Sequence, residues 1–489
     1  MGLGRTLVAP PGIGQFVDVT APLPWQVQGP PDYPGALPIP ETTAVLLADL
    51  DGDGRDEVIV SPTRSMPARA PVVFHLADQH LVARPVALPT GVSVRAAADL
   101  DGDGTTDLVA GGPVILWGDG HGGFAAPAPL TATPSGSEAL ALADVDGDGW
   151  LDVLQFLAGP EAGPQRVALF LRTGPRTFAL SPDLIDRVSS GECDSLGVVD
   201  LQGEPTIVLN IGHGQDVPMP LFYRRGADHR WHAAELLPAG VRRDSIGMGA
   251  PMGSTACDLD GDGHADYVMM LDPETAFFSG TPAGPLRDRS DAAGLVNLPP
   301  APGHAYPQMG WAGACLDLDG DGRLDLLQVC GNDAGGFVDP LHESGPQPIK
   351  AWTRVGDGWQ MGDMTAAVGL GQRGQWHSLS VGDLDGDGAP DFAVGGFGEA
   401  PRIYLNRTGV PSAALRLRTA RGQPAYNVHV EVPGGGGRPA QHLVAGGIVS
   451  PLSQSDAIVF VPGGVAVRVG GAAAVPFQPG HATTVAVGP

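Results

Sequence analysis

Lysine is all but missing: of 28 basic residues in the 489-residue chain, only Lys350 is a lysine, and a codon bias toward arginine accounts for that without chemistry. Positive charge of either kind is scarce. Against 54 Asp and Glu it leaves a formal charge of −26, which excludes the basic face that a nucleic-acid partner requires. Cysteine is rare as well. Cys193, Cys257, Cys315 and Cys330 show no CxxC spacing, which argues against zinc. Cys257 and Cys315 each lie just before an acidic loop, and both one disulfide and four buried thiols are compatible with that placement. No apolar run is long enough to span a bilayer, so membrane insertion is not expected. The N-terminal MGLGRTLVAPPGIGQF has no apolar signal core. The expectation is a cytoplasmic protein, or an extracellular or periplasmic one whose leader has been removed. Amphipathic helices longer than about three turns are missing. So are GxSxG, HExxH, P-loop and dinucleotide fingerprints.

What is abundant is Gly (73) and Pro (48), about a quarter of the chain, with 43% apolar residues to build a core. That combination predicts many short strands joined by turns. The acidic residues are concentrated rather than spread. The string ADLDGDGRDEVIV at Ala48 returns as ADLDGDGTTDLVA, ADVDGDGWLDVLQ, CDLDGDGHADYVM, LDLDGDGRLDLLQ and GDLDGDGAPDFAV. Positions 1, 3, 5 and 9 of these six loops hold 24 of the 54 acids.

Oxygen ligands at alternating positions of a tight turn suit a hard cation such as Ca²⁺. In the first loop Asp49, Asp51 and Asp53 hold positions 1, 3 and 5, Arg55 offers its carbonyl at position 7, and Glu57 stands at position 9. The same reading selects Asp99, Asp101, Asp103, Thr105 and Asp107, and then Asp144, Asp146, Asp148, Trp150 and Asp152. It continues with Asp258, Asp260, Asp262, His264 and Asp266, with Asp317, Asp319, Asp321, Arg323 and Asp325, and with Asp383, Asp385, Asp387, Ala389 and Asp391. Glycines at positions 4 and 6 permit the tight backbone. An EF-hand would need an acid at position 12, but Val60, Ala110, Gln155, Met269, Gln328 and Val394 stand there. The flanks read as strand, so the unit is strand, ion loop, strand. About six Ca²⁺ ions are expected, and they would bring the charge of −26 to −14.

The loops begin at Asp49, Asp99, Asp144, Asp258, Asp317 and Asp383, with a double gap in the middle. Within it VVDLQGEPTIVLN keeps Asp200, Gly203 and the following strand, and reads as a seventh copy without metal. Spacings are then 50, 45, 56, 58, 59 and 66 residues, a period that fits a four-stranded propeller blade. GQFVDVTAPL near the N-terminus reads as an outer strand that pairs near Arg402–Asn406 and closes the ring.

The motif and its spacing resemble the FG-GAP/VCBS repeats of integrin-α-type seven-bladed propellers over residues 15–408, with GGFG at 395–398 echoing the signature. PMGSTACDLDGDG and YPQMGWAGACLDLDGDG also resemble the cartilage acidic protein family. In that family a small β domain, ASPIC/UnbV, follows the propeller. Residues 410–489, with short strand signals between Gly/Pro turns, take that place. The usual FGLG and WPxG signatures are missing, and Ser453-Gln454-Ser455 is the nearest remnant. The expected fold is thus all-β: a seven-bladed β-propeller with calcium-binding hairpin loops, followed by a small β-sandwich-like domain.

Ligands of a propeller gather at the mouth of its channel, so residues at the start of each first strand are candidates. They are Glu41 and Thr42, Ser93 and Arg95, Glu138, Glu192 and Asp194, Met248 and Met252, Gln308, Met309 and Trp311, and Trp376 with His377. For the methionines and tryptophans packing is the plainer role. For the acids it is a rim charge, and for His377 a structural hydrogen bond. Arg95, Asp194, Trp311 and Trp376 are the ligand-binding candidates for a protein, glycan or small polar ligand. The alternative is an enzyme, a metal-dependent lyase, dehydratase or natural-product tailoring enzyme, as in some proteins that resemble this one. It would use His377, Glu138 and Glu192 as acid, base or ligands of a further axial metal. Asn406-Arg407-Thr408 matches a glycosylation acceptor, a match common by chance.

Overall fold

A strand that is apolar at every position needs cover on both faces. Thr43–Ala48 and Glu57–Pro62 are buried at all positions, and so are Pro251–Cys257 and Trp376–Gly382 of later repeats. The computed structural model shows how that cover is supplied. It describes residues 15–24, 43–62, 69–130, 139–157, 166–181, 193–211, 220–238, 251–271, 275–295, 309–331, 346–356, 359–434, 441–444, 446–450, 454, 456–462, 466–470, 475–476, 480 and 482–487.

Among the described residues seven antiparallel sheets follow one another along the chain, six with a four-stranded meander at their core and the seventh a three-stranded meander completed by a strand from the N-terminal end. We number them blades 1 to 7. Their innermost strands are Thr43–Ala48, Val94–Ala98, Leu140–Ala143, Cys193–Leu201, Pro251–Cys257, Gly310–Leu316 and Trp376–Gly382. Side chains alternate across each strand, so neighbouring residues enter different gaps between blades. In blade 1, Val45 and Leu47 join Ala393 and Ile403 of blade 7, whereas Leu46 and Ala48 join Val94 and Leu108 of blade 2. Seven apolar cores arise this way, one in each gap of the ring. The expected closure is present: Gln15–Asp18 is the outermost strand of blade 7 and pairs antiparallel with Arg402–Arg407. Phe16 anchors it, 5.0 Å from the Phe392 ring.

Among the described residues the one helix is Ser290–Ala293, and no helix is long and apolar enough to cross a membrane. Cys257 and Cys315 form a disulfide between the innermost strands of blades 5 and 6, while Cys193 and Cys330 are free. Asn406 is 4% exposed, and its amide oxygen accepts hydrogen bonds from the Thr408 backbone and hydroxyl. Burial removes it as a glycosylation site.

Beyond blade 7, Ser412–Arg418 pairs antiparallel with Ile458–Pro462 and parallel with Ala482–Ala486. A second small sheet contains Gln441–Val444, His429–Val432, Ala466–Val469 and Val475–Pro476. This C-terminal unit lies on the face of the ring that carries the acidic loops. Leu415, Val430 and Val459 share one apolar core with Val268 and Phe277 of blade 5 and Trp352 of blade 6.

Candidate functional site

The six acidic loops share one hydrogen-bond pattern, which the first illustrates. Asp49 Oδ1 accepts the Gly52 N–H at 2.8 Å, and Asp49 Oδ2 accepts the Gly54 N–H at 3.0 Å. Asp53 Oδ1 accepts the Arg55 N–H, and Glu57 Oε2 accepts the Leu50 N–H, both at 2.9 Å. Gly52 and Gly54 have φ of 76° and 90°, a region closed to most side chains, and the glycines at positions 4 and 6 of the other loops do the same. The position-9 carboxylate has a second task. Asp107, Asp152, Asp266 and Asp391 each also accept a backbone N–H at 2.7–2.8 Å, from Gly118 and Gly280 just past the third strand of their blade or from Arg172 and Asn406 within it. It thus pins the loop to the sheet.

These turns gather carboxylate oxygens closely. Asp49, Asp51 and Asp53 offer three within 4.8 Å of one another; so do Asp99, Asp101 and Asp107, then Asp144, Asp146 and Asp152, then Asp258, Asp260 and Asp262, and Asp317, Asp319 and Asp325. The donor set is all oxygen, as hard divalent cations prefer. One detail fits a missing positive charge: Asp260 Oδ2 is buried with no hydrogen-bond partner among the described residues. Electrostatics agree. Burial, with the neighbouring charges of Asp262 and Asp258, pushes the Asp260 carboxyl up to about 7. Burial pushes Asp107 and Asp152 up to about 7 as well, against the hydrogen bonds they accept. Arginines supply part of the neutralisation: Arg84 reaches Asp51 at 2.7 Å and Glu57 at 2.8 Å, and Arg407 reaches Asp385 at 2.7 Å.

The seventh copy takes a different form. Its strands Cys193–Leu201 and Glu204–Ile211 are joined by Gln202 and Gly203 alone, with φ of 62° and 78°. Positive φ at both positions is the signature of a two-residue type I′ hairpin, which leaves no room for an ion loop. A cation from elsewhere meets its acid: His429 Nε2 of the C-terminal unit lies 3.2 Å from Asp200 Oδ1.

That contact belongs to a larger seat. Gln423 accepts the Leu151 N–H at 3.0 Å and donates to the Asp99 carbonyl at 2.9 Å, bridging the loops of blades 2 and 3. Trp150, at position 7 of the third loop, holds Arg172 over its ring at 3.3 Å and Arg421 of the C-terminal unit at 4.3 Å. Arg416, 4% exposed, pairs with Asp56 at 2.9 Å and Asp456 at 3.2 Å. Asp56 in turn accepts the Asp383 N–H at 2.7 Å and donates its own N–H to the Asp383 carbonyl at 2.8 Å, across the seam between blades 1 and 7. Burial opposes ionisation of Asp456 most strongly, but Arg418 and Arg416 together hold its carboxyl below the usual range.

The C-terminal unit also reaches into the channel. Gly447 accepts the Ala256 N–H at 2.8 Å, and Ile448–Val449 pairs antiparallel with the innermost strand of blade 5. Further on, Ser450 Oγ accepts the Leu379 N–H of blade 7 at 3.4 Å. Gln454 donates its N–H to the Arg95 carbonyl at 2.8 Å, and its amide grips both backbone groups of Leu142 at 2.6 and 3.0 Å. Gln454, the middle residue of the remnant tripeptide, is thus the part that spans to blades 2 and 3. It satisfies strand edges that would otherwise face an open channel.

At the opposite end of the innermost strands the register slips once in five blades. The extra residue is Arg95, Asp194, Met252, Trp311 or His377. A β-bulge bends the strand and re-aims the side chain of the extra residue. Four of the seven residues named from sequence as ligand or catalytic candidates therefore occupy equivalent positions. Trp311 and His377 are brought together, with rings stacked 3.8 Å apart at 13°, and Phe397 covers the other face of His377 at 4.9 Å. Trp311 Nε1 donates to the Gly331 carbonyl at 2.9 Å. Trp376 is 1% exposed and packs in the gap between blades 6 and 7, away from any mouth. Met252 and Met309 pack in the same core. Glu138, Glu192, Glu41, Thr42, Met248 and Gln308 lie outside the described residues. Sequence reasoning missed Asp56, Gln423 and Arg416; the acid at position 8, found in the first loop alone, was a usable signal for Asp56.

A family profile described as an FG-GAP-like repeat matches residues 99–154 and 317–394, the second-to-third and sixth-to-seventh blade segments. No curated protein matches the chain. Among solved structures the chain is similar to YCF48 bound to D1 peptide, at 11% identity and a TM-score of 0.39, with 78% of this chain and 98% of that one covered. It is similar also to YCF48 from Cyanidioschyzon merolae, at 11% identity and a TM-score of 0.42, with 81% and 100% covered. The chain carries FG-GAP-like repeats on a β-propeller.

Proposed function

We propose that the protein is a calcium-stabilised propeller that binds a protein segment, glycan or small polar ligand at the end of its channel remote from the acidic loops. The ring of bulges carries this reading: Arg95, Asp194, Met252, Trp311 and His377 stand at one level of the innermost strands. Bulges concentrate where a side chain must be re-aimed. The loop face is occupied by the C-terminal unit, so in this reading a ligand meets the buried side chains of Arg95, Met252, Trp311 and His377 from the opposite end. Six Ca²⁺ ions in the acidic loops hold the hairpins and perform no chemistry. Residues 15–408 form the propeller and 410–489 an ASPIC/UnbV-like domain in this reading. The stacking of His377 between Trp311 and Phe397 favours recognition over acid–base work.

The test is binding to peptide and glycan arrays, followed by calorimetry on the hits with Asp194→Asn, Arg95→Met and His377→Gln. Affinity should fall about tenfold or more for at least one charged substitution, as when a buried polar partner is removed, with the melting temperature retained in calcium. Unchanged affinity in all three variants would overturn the assignment of this end.

A further inference from the structure

We infer that the C-terminal unit is a calcium-linked gate on the channel, anchored permanently at blades 5 and 6 and held at blades 1 to 3 only while their loops carry ions. The inference rests on the reading of the acidic loops as calcium sites. The two sides of the unit are attached by different physics. On blades 5 and 6 the attachment is an apolar core, with Leu415, Val430 and Val459 against Val268, Phe277 and Trp352. Such a core stabilises at roughly 25 cal/mol per Å² buried through contacts that carry no charge, although Leu259 and Leu324 of the two acidic loops there belong to it.

On blades 1 to 3 the attachment is mainly polar and addresses the loops themselves, with Tyr426 as the apolar exception, packed against the core between blades 2 and 3. Gln423 binds the Asp99 carbonyl at position 1 of the second loop and the Leu151 N–H at position 8 of the third. Arg421 lies over Trp150 at position 7 of the third loop, and Arg416 pairs with Asp56 at position 8 of the first. These atoms keep their spacing only while the carboxylates at positions 1, 3 and 5 are drawn to a common centre. With the ions removed the carboxylates repel, and a bridge such as Gln423, which needs two loops in register, is lost first.

The channel segment divides in the same way. Ile448–Val449 is paired with blade 5, on the anchored side. Gln454 is held by Arg95 and Leu142, on the ion-dependent side. Calcium withdrawal therefore frees Gln454 and opens the channel along blades 2 and 3, next to the bulge at Arg95. Linkage requires the reverse effect: weakening the seat lowers the calcium affinity of the loops that form it.

Hydrogen exchange on the full-length protein, in excess calcium and in chelator below its melting point, tests the gate. In chelator the amides of Leu142, Leu151 and Gln454 should exchange at least about tenfold faster, while those of Ala256 and Leu417 stay protected, as for a local opening. Gln423→Ala should weaken two of the calcium ions by about fivefold or more and leave the others unchanged. Gln454→Ala, which leaves the seat intact, should speed Leu142 exchange even in calcium and, by the same linkage, lower calcium affinity less than Gln423→Ala does. Binding of about six ions with no effect of chelator on the three amides overturns the gate and spares the calcium reading. Loss of protection at Ala256 and Leu417 together with the others also overturns it, since that is global unfolding. Binding of no calcium overturns both.

Discussion

Arg416 shows how much one side chain can be asked to hold. It is buried between Asp56, which ties blade 1 to blade 7, and Asp456, which Arg418 also grips at 2.7 Å. Removing one member of a buried ionic group leaves an uncompensated charge and costs about 3–5 kcal/mol. Arg416→Met should destabilise by that amount in urea unfolding with calcium present, and Arg416→Lys, which keeps charge but loses the fork, by less. The loop carboxylates give a second residue-scale expectation. Burial, ahead of neighbouring charges and accepted hydrogen bonds, raises Glu57, Asp107, Asp152 and Asp317 to about 7 in the ion-free fold, from an unfolded carboxylate value near 4. A raised carboxyl contributes stability in full below its unfolded value, and that contribution is lost as pH climbs through its folded value. The melting temperature in chelator should therefore fall between about pH 4 and pH 7, and saturating calcium should remove most of that fall. A chelated protein that melts higher at pH 8 than at pH 5 would contradict the assignment.

At the scale of the element, the informative contrast lies between the six acidic loops and the hairpin at Gln202–Gly203. The same pair of strands is closed in one case by an acidic loop and in the other by two residues that need only positive φ. Asp317→Asn with Asp319→Asn should lower the bound calcium, measured by elemental analysis, by one ion per chain, and Asp200→Asn should leave it unchanged. The closing strand Gln15–Asp18 is the other element with a distinct duty. Phe16, 5% exposed, is its one buried side chain. Phe16→Ala should cost about 3–5 kcal/mol, the usual range for a buried aromatic, with the loss appearing first as increased exchange along Arg402–Arg407.

For the whole molecule, each blade lacks cover for its own faces, so the ring is stable only when all seven gaps close, and the C-terminal unit extends the gap between blades 5 and 6. A chain ending at residue 409 should expose the apolar surface around Val268, Phe277 and Trp352, and show a lower melting temperature and concentration-dependent association in light scattering. Much of this was legible in advance. The acidic loop is a local device whose ligands and glycines lie within nine residues, so its chemistry is written in one string. The meander is local too, because each strand pairs with the next, and the period therefore counted the blades. The ring-closing strand was legible because an isolated strand signal before the first blade had one place to go.

The sequence by itself determined the repeat, the number of sheets, the carboxylate clusters and the seventh copy that lacks their acids, because each depends on residues close together in the chain. Only the tertiary structure decided that Gln423, Arg416 and His429 seat on the loop face, that Gln454 crosses the channel, and that bulges align Arg95, Asp194, Trp311 and His377 while Trp376 turns into the core. Those facts depend on partners hundreds of residues apart, or on a register set by pairing across a sheet. No single stretch of chain carries the free energy that fixes them.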